Sequence, residues 1–303
     1  MNTPVTGVPA AEALALRAAD GYVLAARRYP ARGAARSHLV VAGATGVPQG
    51  FYRRFAEHAA AQGAHVLTLD YRGVGLSRPA SLRGFEMDYL DWARLDLAAA
   101  VDAVPDDGLP LLMVGHSYGG HAFGLLPNHA RVARFATFAT GAGWHGWMPP
   151  LERLRVLALW RVLGPLLTRW KGYLPWSLLG MGEDLPLPVY RQWRRWCGFP
   201  RYFFDDPEMA GERLADRFAA VRTPIVALNA VDDHWAPPAS RDAFMAAYRN
   251  AEYRCIDLHP KSLRLEGIGH MGYFRPAAQP LWDEVLAWLH GGAGLRGAVP
   301  RAT

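Results

Sequence analysis

Cysteine is nearly missing from this chain: two residues in 303, Cys197 and Cys255. They form no close-spaced pair and fit no metal-ligand pattern, so a disulfide framework is excluded and free thiols of a cytoplasmic protein are expected. No stretch of 18 or so apolar residues is present to span a bilayer. Residues 1–19 lack the basic start and following apolar run of a secretory signal, so a cytoplasmic location is expected. No group of His, Asp and Glu has metal-ligand spacing; His116 and His121 come closest, but five residues apart they fall on different helix faces. No G-x-G-x-x-G follows a strand, which removes the dinucleotide and phosphate-cradling loops. Neither a metal nor another cofactor is therefore expected. No internal repeat is visible, and oligomeric state is left open.

The charge balance is 33 Lys and Arg against 27 Asp and Glu, a formal net of +6. The arginines lie among aliphatic residues at helical spacing, as on solvated faces of amphipathic helices. An anionic substrate group or phospholipid surface is the second reading of that charge. Charge alone speaks for nucleic acid, and no recognition motif accompanies it, so nucleic acid is not an expected partner.

What is present is an alternation of strands and helices, as a parallel sheet requires. Residues 14–29, with Asp20-Gly21 between two runs, predict an opening hairpin. Strands are expected at 39–42, 64–69, 111–114, 135–140 and 224–229. Helices are expected at 51–62, ending at Gly63, at 89–104, and at 280–290, where Leu281, Trp282, Val285, Leu286 and Leu289 share one face. The most informative stretch is Gly115-His116-Ser117-Tyr118-Gly119. Between a buried strand and a helix start, it puts Ser117 on a sharp turn that crowds its neighbours, so that only small residues fit two places either side. This is the pattern of a nucleophile elbow. His116, next to the serine, points elsewhere and is read as packing beneath the turn.

A serine hydroxyl attacks poorly unless a histidine takes its proton and a carboxylate holds that histidine. Downstream, the strand at 224–229 feeds Asp232 and Asp233, on the rim of the sheet where ligands bind in open α/β folds. Further on, Gly267-Ile268-Gly269-His270-Met271-Gly272 places His270 in a glycine-flanked loop before the last helix, a loop that can bend the imidazole over the sheet edge. His234 is a poor alternative base, because it sits at the strand end.

The order Ser117, acid, His270 resembles the α/β-hydrolase superfamily. Asp70-Tyr71-Arg72-Gly73-Val74-Gly75-Leu76-Ser77 is similar to that family's D-x-R-G-x-G-x-S turn, in which Asp70 and Arg72 are read as structural pins. Gly43-Ala44-Thr45-Gly46 stands where many relatives carry a His-Gly pair, and the histidine is absent. The resemblance implies an oxyanion hole built from the backbone N–H of Tyr118 and of Ala44 or Thr45. It also favours Asp233 over Asp232 as the triad acid, since the family's acid is followed by two residues, a small one and a proline, as Asp233 is by His234, Trp235, Ala236 and Pro237. The blocks Ala44-Thr45-Gly46-Val47-Pro48-Gln49, Lys171-Gly172-Tyr173-Leu174-Pro175 and Gly182-Glu183-Asp184-Leu185-Pro186, with Trp193-Arg194-Arg195-Trp196-Cys197, look like a bacterial group labelled serine-aminopeptidase-like hydrolases. That label implies a fold and a triad but no substrate.

The fold expected is an α/β-hydrolase core, residues 1–142 and 206–290, with a helical cap inserted at 143–205 and a disordered tail at 291–303. The cap holds 7 of the 11 tryptophans and a charge of 9 minus 4, or +5. Trp144, Trp147, Trp193, Trp196 and, outside it, Trp235 are candidate walls of an apolar pocket, although most of the cap's tryptophans are expected to form its own core. Arginines on its rim would hold an anionic leaving group. The function expected is serine-dependent hydrolysis of an ester, thioester or amide of a mainly apolar small molecule. Transfer of the acyl group to an alcohol or amine by the same triad, and a non-catalytic binding protein, are the alternatives. Serine at the elbow, where aspartate would stand, disfavours dehalogenase and epoxide-hydrolase chemistry.

Overall fold

The computed structural model describes residues 11–292, residue 295 and the backbone of residues 299–300. The opening hairpin pairs β1 (Glu12–Arg17) with β2 (Val23–Tyr29) antiparallel, turning at Gly21 with φ +88°. Next come β3 (Ser37–Ala42), β4 (Ala64–Leu69), β5 (Leu111–His116), β6 (Val132–Phe138), β7 (Ile225–Ala230), β8 (Tyr253–Leu258) and the two-residue β9 (Val299–Pro300). They form one sheet in the order β1-β2-β4-β3-β5-β6-β7-β8-β9. From β4 to β8 every pairing is parallel. The chain winds from β3 outward to β4, then crosses to β5 on the other side, so the strand order switches between β3 and β5. A crevice opens at such a point, at the carboxyl ends of the strands.

Strands β3, β5 and β7 are buried along their whole length, which is why they read as continuous apolar runs rather than alternations. One face, with Leu39, Val41, Leu112 and Val114, packs against α1 (Arg53–Ala61) and the closing helix near Trp282 and Leu286. The other, with Val40, Leu111 and Met113, packs under Trp92, Val101 and Phe123. The helix expected at 89–104 opens as a π turn, Trp92–Leu97, and continues as α2 (Ala98–Asp102). In that turn Asp96 accepts the Arg72 N–H at 2.8 Å and its Nε at 2.7 Å. Burial pushes the Asp96 pKa up to about 6 against the pull of Arg72. Asp70 accepts both the N–H and the amide of Gln49. The two polar residues of the D-x-R-G motif thus tie the turn after β4 to its neighbours.

After β5 come α3 (Tyr118–Ala122) and, between β6 and β7, α4 (Pro150–Ala158), α5 (Gly164–Lys171), α6 (Leu187–Trp196) and α7 (Leu214–Ala220). Then α8 (Pro238–Met245) precedes β8 and α9 (Gln279–Leu289) closes the fold. Sequence reasoning missed β8 and α8. In the tail expected to lack structure, Val299 and Pro300 pair with β8; residues 293–294, 296–298 and 301–303 lie outside the described residues. No helix among the described residues is long and apolar enough to cross a membrane.

Candidate active site

Ser117 stands between β5 and α3 with φ 51° and ψ −107°, a conformation that costs a non-glycine residue roughly 1–3 kcal/mol. Close packing holds it there. A Cβ on Gly115 would lie 2.7 Å from the Gly119 carbonyl, and one on Gly119 would lie 2.1 Å from the Ala42 oxygen. The glycines therefore let the elbow press down on β3. The Ser117 N–H donates to the Phe138 carbonyl at 2.8 Å, and its own carbonyl accepts from Thr140 Oγ1 at 2.9 Å.

His270 Nε2 lies 3.1 Å from Ser117 Oγ, and its Nδ1 lies 2.9 and 3.1 Å from the two Asp233 oxygens. Asp233 is fully buried, and its Oδ1 also accepts the N–H groups of Trp235 and Ala236, each at 3.0 Å. Burial opposes its charge, but the His270 ring and these hydrogen bonds outweigh burial and hold its pKa below the ordinary carboxylate value. The adjacent Asp232 points elsewhere, accepting the Ile268 N–H at 2.9 Å. One acid thus holds the ring and the other holds the loop that carries it. His234 is exposed.

A buried relay ties three loops together beneath this line. The Ala44 N–H donates to Tyr52 Oη at 2.8 Å, Tyr52 Oη lies 2.9 Å from His116 Nδ1, and His116 Nε2 lies 2.9 Å from the His270 carbonyl. Since a carbonyl only accepts, the proton belongs on Nε2, and Nδ1 takes the Tyr52 O–H. Burial, reinforced by His270, pushes the His116 pKa down to about 3, so the ring is neutral, as the relay requires. Sequence reasoning had no signal for Tyr52, which reads as one more apolar position in its helix. The relay also engages Ala44, one of the two alternatives for the second oxyanion donor. The N–H groups of Thr45 and Tyr118 have no hydrogen-bond partner among the described residues.

His121 is likewise buried, with Nε2 2.8 Å from the Gly141 carbonyl and a pKa that burial pushes down to about 4. A histidine with a depressed folded pKa binds its proton more readily when unfolded. Stability therefore falls as pH drops below about 6.5 and levels off only past the folded value. Together the two rings are expected to cost on the order of 5 kcal/mol between pH 7 and pH 4. Urea unfolding at both pH values would measure the loss. An undiminished pH dependence in His116→Gln and His121→Gln would show that neither ring contributes.

Above Ser117 and His270 lies a cavity of about 620 Å³ walled by Trp176, Trp193, Trp235, Met181 and Phe51 among others, with no Arg, Lys, Asp or Glu in its lining. Of the expected pocket tryptophans, Trp193 and Trp235 line it. Trp196 does not: it is buried and stacked on Tyr89 at 5.2 Å. Trp144 and Trp147 do not either, because they pack edge to face on each other and Trp147 donates to the Pro200 carbonyl. Trp176, not singled out from sequence, takes their place. No Arg or Lys reaches the lining, so His270 is the one basic side chain in the cavity wall.

Three sequence blocks meet at this wall. The Glu183 N–H donates to the Gly46 carbonyl at 2.8 Å, a bridge joins Leu174 to Leu185, and Trp235 Nε1 donates to Glu152 on α4 at 3.0 Å.

Residues 38–279 match the sequence model of the alpha/beta hydrolase family; the chain belongs to that family. The match is to the family as a whole and does not single out the serine-aminopeptidase-like group. Among solved structures, a soluble variant of monoglyceride lipase from Saccharomyces cerevisiae, in complex with a substrate analogue, is similar with a TM-score of 0.65 and 16% identity, covering 95% of this chain and 97% of that one. The esterase domain of a Rhodothermus marinus protein has a TM-score of 0.57 and 17% identity, covering 93% and 99%. At these identities the likeness concerns the fold. No curated protein matches the chain in sequence.

Proposed function

We propose that the protein is a serine hydrolase of carboxylic esters with apolar acyl groups. The observation that carries this is the unbroken line from Ser117 Oγ through His270 to Asp233, opening into an uncharged, aromatic-walled cavity. Ser117 Oγ attacks the acyl carbon while His270 Nε2 takes its proton, and Asp233 fixes the Nδ1–H and offsets the imidazolium charge. The N–H groups of Tyr118 and Thr45 hold the oxyanion. His270 returns the proton to the leaving alcohol, and water then releases the acid by the same steps in reverse roles. Residues 143–205 serve as a cap whose Trp176, Met181 and Trp193 shape the acyl site. An esterase and a lipase among the structures of like fold agree with this chemistry.

The test is an ester panel after labelling with a fluorophosphonate. Each further buried methylene is worth about 0.8 kcal/mol, so the specificity constant is expected to rise roughly fourfold per carbon until the cavity fills. Equal constants for two-carbon and eight-carbon acyl groups would remove the apolar acyl site. The relay offers a second check. Tyr52→Phe leaves the Ala44 N–H and His116 Nδ1 without partners, each at a cost of about 1–3 kcal/mol, and loosens the His270 backbone. A fall in kcat of about tenfold to a hundredfold with little change in KM is expected, since small misplacements at a reacting centre cost about that much. Unchanged kcat in a folded Tyr52→Phe protein would assign the relay to packing alone.

A further inference from the structure

Residues 150–171 run as one helical rod, α4, a π turn over Leu159–Leu163, and α5. One side, with Val156, Leu159, Trp160 and Thr168, is buried in the protein. The other side is apolar too, and it faces out: Leu151, Leu154, Val162, Leu166 and Trp170 are each 58–65% exposed. Eight of the eleven large exposed hydrophobic residues in the described chain fall between 151 and 181. They therefore form a patch, where scattered single residues would need no explanation. A helix apolar on both sides is normally covered on both, and no described residue covers the outer one.

Charge narrows what the cover is. The rod carries Arg153, Arg155, Arg161, Arg169 and Lys171 against a single acid, Glu152, which is bonded to Trp235. The four arginines are exposed, and Lys171 Nζ sits 4.0 Å from the centre of the Trp170 ring. Two copies joined through this face would set these cations against each other, on chains that each carry +6. Leu, Val and Trp along one strip with Arg and Lys beside it is the composition of a helix that lies in the plane of a lipid interface. The patch also reaches the cavity: Leu178 is 63% exposed, and Met181, 41% exposed, lines the wall above Ser117.

We propose that the outer face of residues 151–170 docks onto an anionic lipid surface and brings the mouth beside Met181 against it. A neutral apolar ester then passes from the lipid into an uncharged cavity without crossing bulk water. Docking goes beyond the hydrolase reading and does not depend on Ser117, so it is tested with the Ser117→Ala protein. In flotation, that protein is expected to rise with phosphatidylcholine vesicles containing about a third phosphatidylglycerol, to rise far less with phosphatidylcholine alone, and to be released by high salt. Arg161→Gln with Arg169→Gln should weaken the anionic partition about 25-fold, roughly fivefold per charge. Leu154→Ser, Leu166→Ser and Trp170→Ser together should abolish it with only a small change in melting temperature, because each of the three residues is already more than 60% exposed. Failure to float with anionic vesicles, or equal flotation of the triple variant, overturns the proposal. So does self-association that the triple variant loses while no form binds vesicles, which would assign the face to a second copy.

Discussion

Ser117→Ala is expected to lower ester turnover by roughly a millionfold, the scale on which a triad serine acts, and to abolish fluorophosphonate labelling. The fold should survive. The Ser117 backbone keeps its bonds to Phe138 and Thr140, while the hydroxyl bonds, among the described residues, to His270 alone. Removing Oγ leaves the strained turn and the cavity in place and takes away only the attacking atom. Rates of wild-type and variant protein on one eight-carbon ester, with circular dichroism to establish folding, decide the matter. Labelling that persists in the variant, or turnover within tenfold of wild type, would mean that another residue is the nucleophile.

The elbow was legible in the sequence because its constraint is narrow. A side chain two residues from Ser117 would enter the Gly119 or Ala42 backbone, so glycine had to appear at both places. The β7 strand was legible because burial on both faces leaves one unbroken apolar run, whereas β8 has intermediate burial and interleaves Arg254 and Asp257 with Tyr253, Cys255, Ile256 and Leu258. Its partner, α8, hides behind Arg241, a fully buried arginine that bonds the Ile256 carbonyl at 2.7 Å and Asp257 at 2.7 Å. Apolar periodicity cannot announce a helix anchored that way. The pocket was least legible. Trp193 and Trp196 lie three apart on α6, yet one walls the cavity and the other stacks on Tyr89. That division is set by what α6 lies between, Trp176 and Trp235 on the Trp193 side and Tyr89 and Tyr202 on the Trp196 side, which no local pattern encodes. Tyr52 was invisible for the same reason, since its partners lie on the Ala44 loop and at the elbow.

The adjacent acids give the second large effect. Asp233→Asn is expected to lower kcat about ten-thousandfold, as the equivalent change does in a serine protease, whereas Asp232→Asn should cost little. The asparagine oxygen can still accept from Trp235 and Ala236 at the Oδ1 position, so the loop keeps its shape. Its NH2 group then faces His270 Nδ1 and can only donate. The ring must present Nδ1 as an acceptor and carry its proton on Nε2, aimed at Ser117, so it can no longer take the serine proton. Asp232 has no such role, because it accepts a backbone N–H from Ile268 and an asparagine oxygen accepts that bond equally well. Steady-state rates of the two isosteric variants separate the acids without altering side-chain volume. A large loss in Asp232→Asn with a small one in Asp233→Asn would transfer the orienting role to Asp232 and require the loop between β7 and α8 to rearrange before the chemistry.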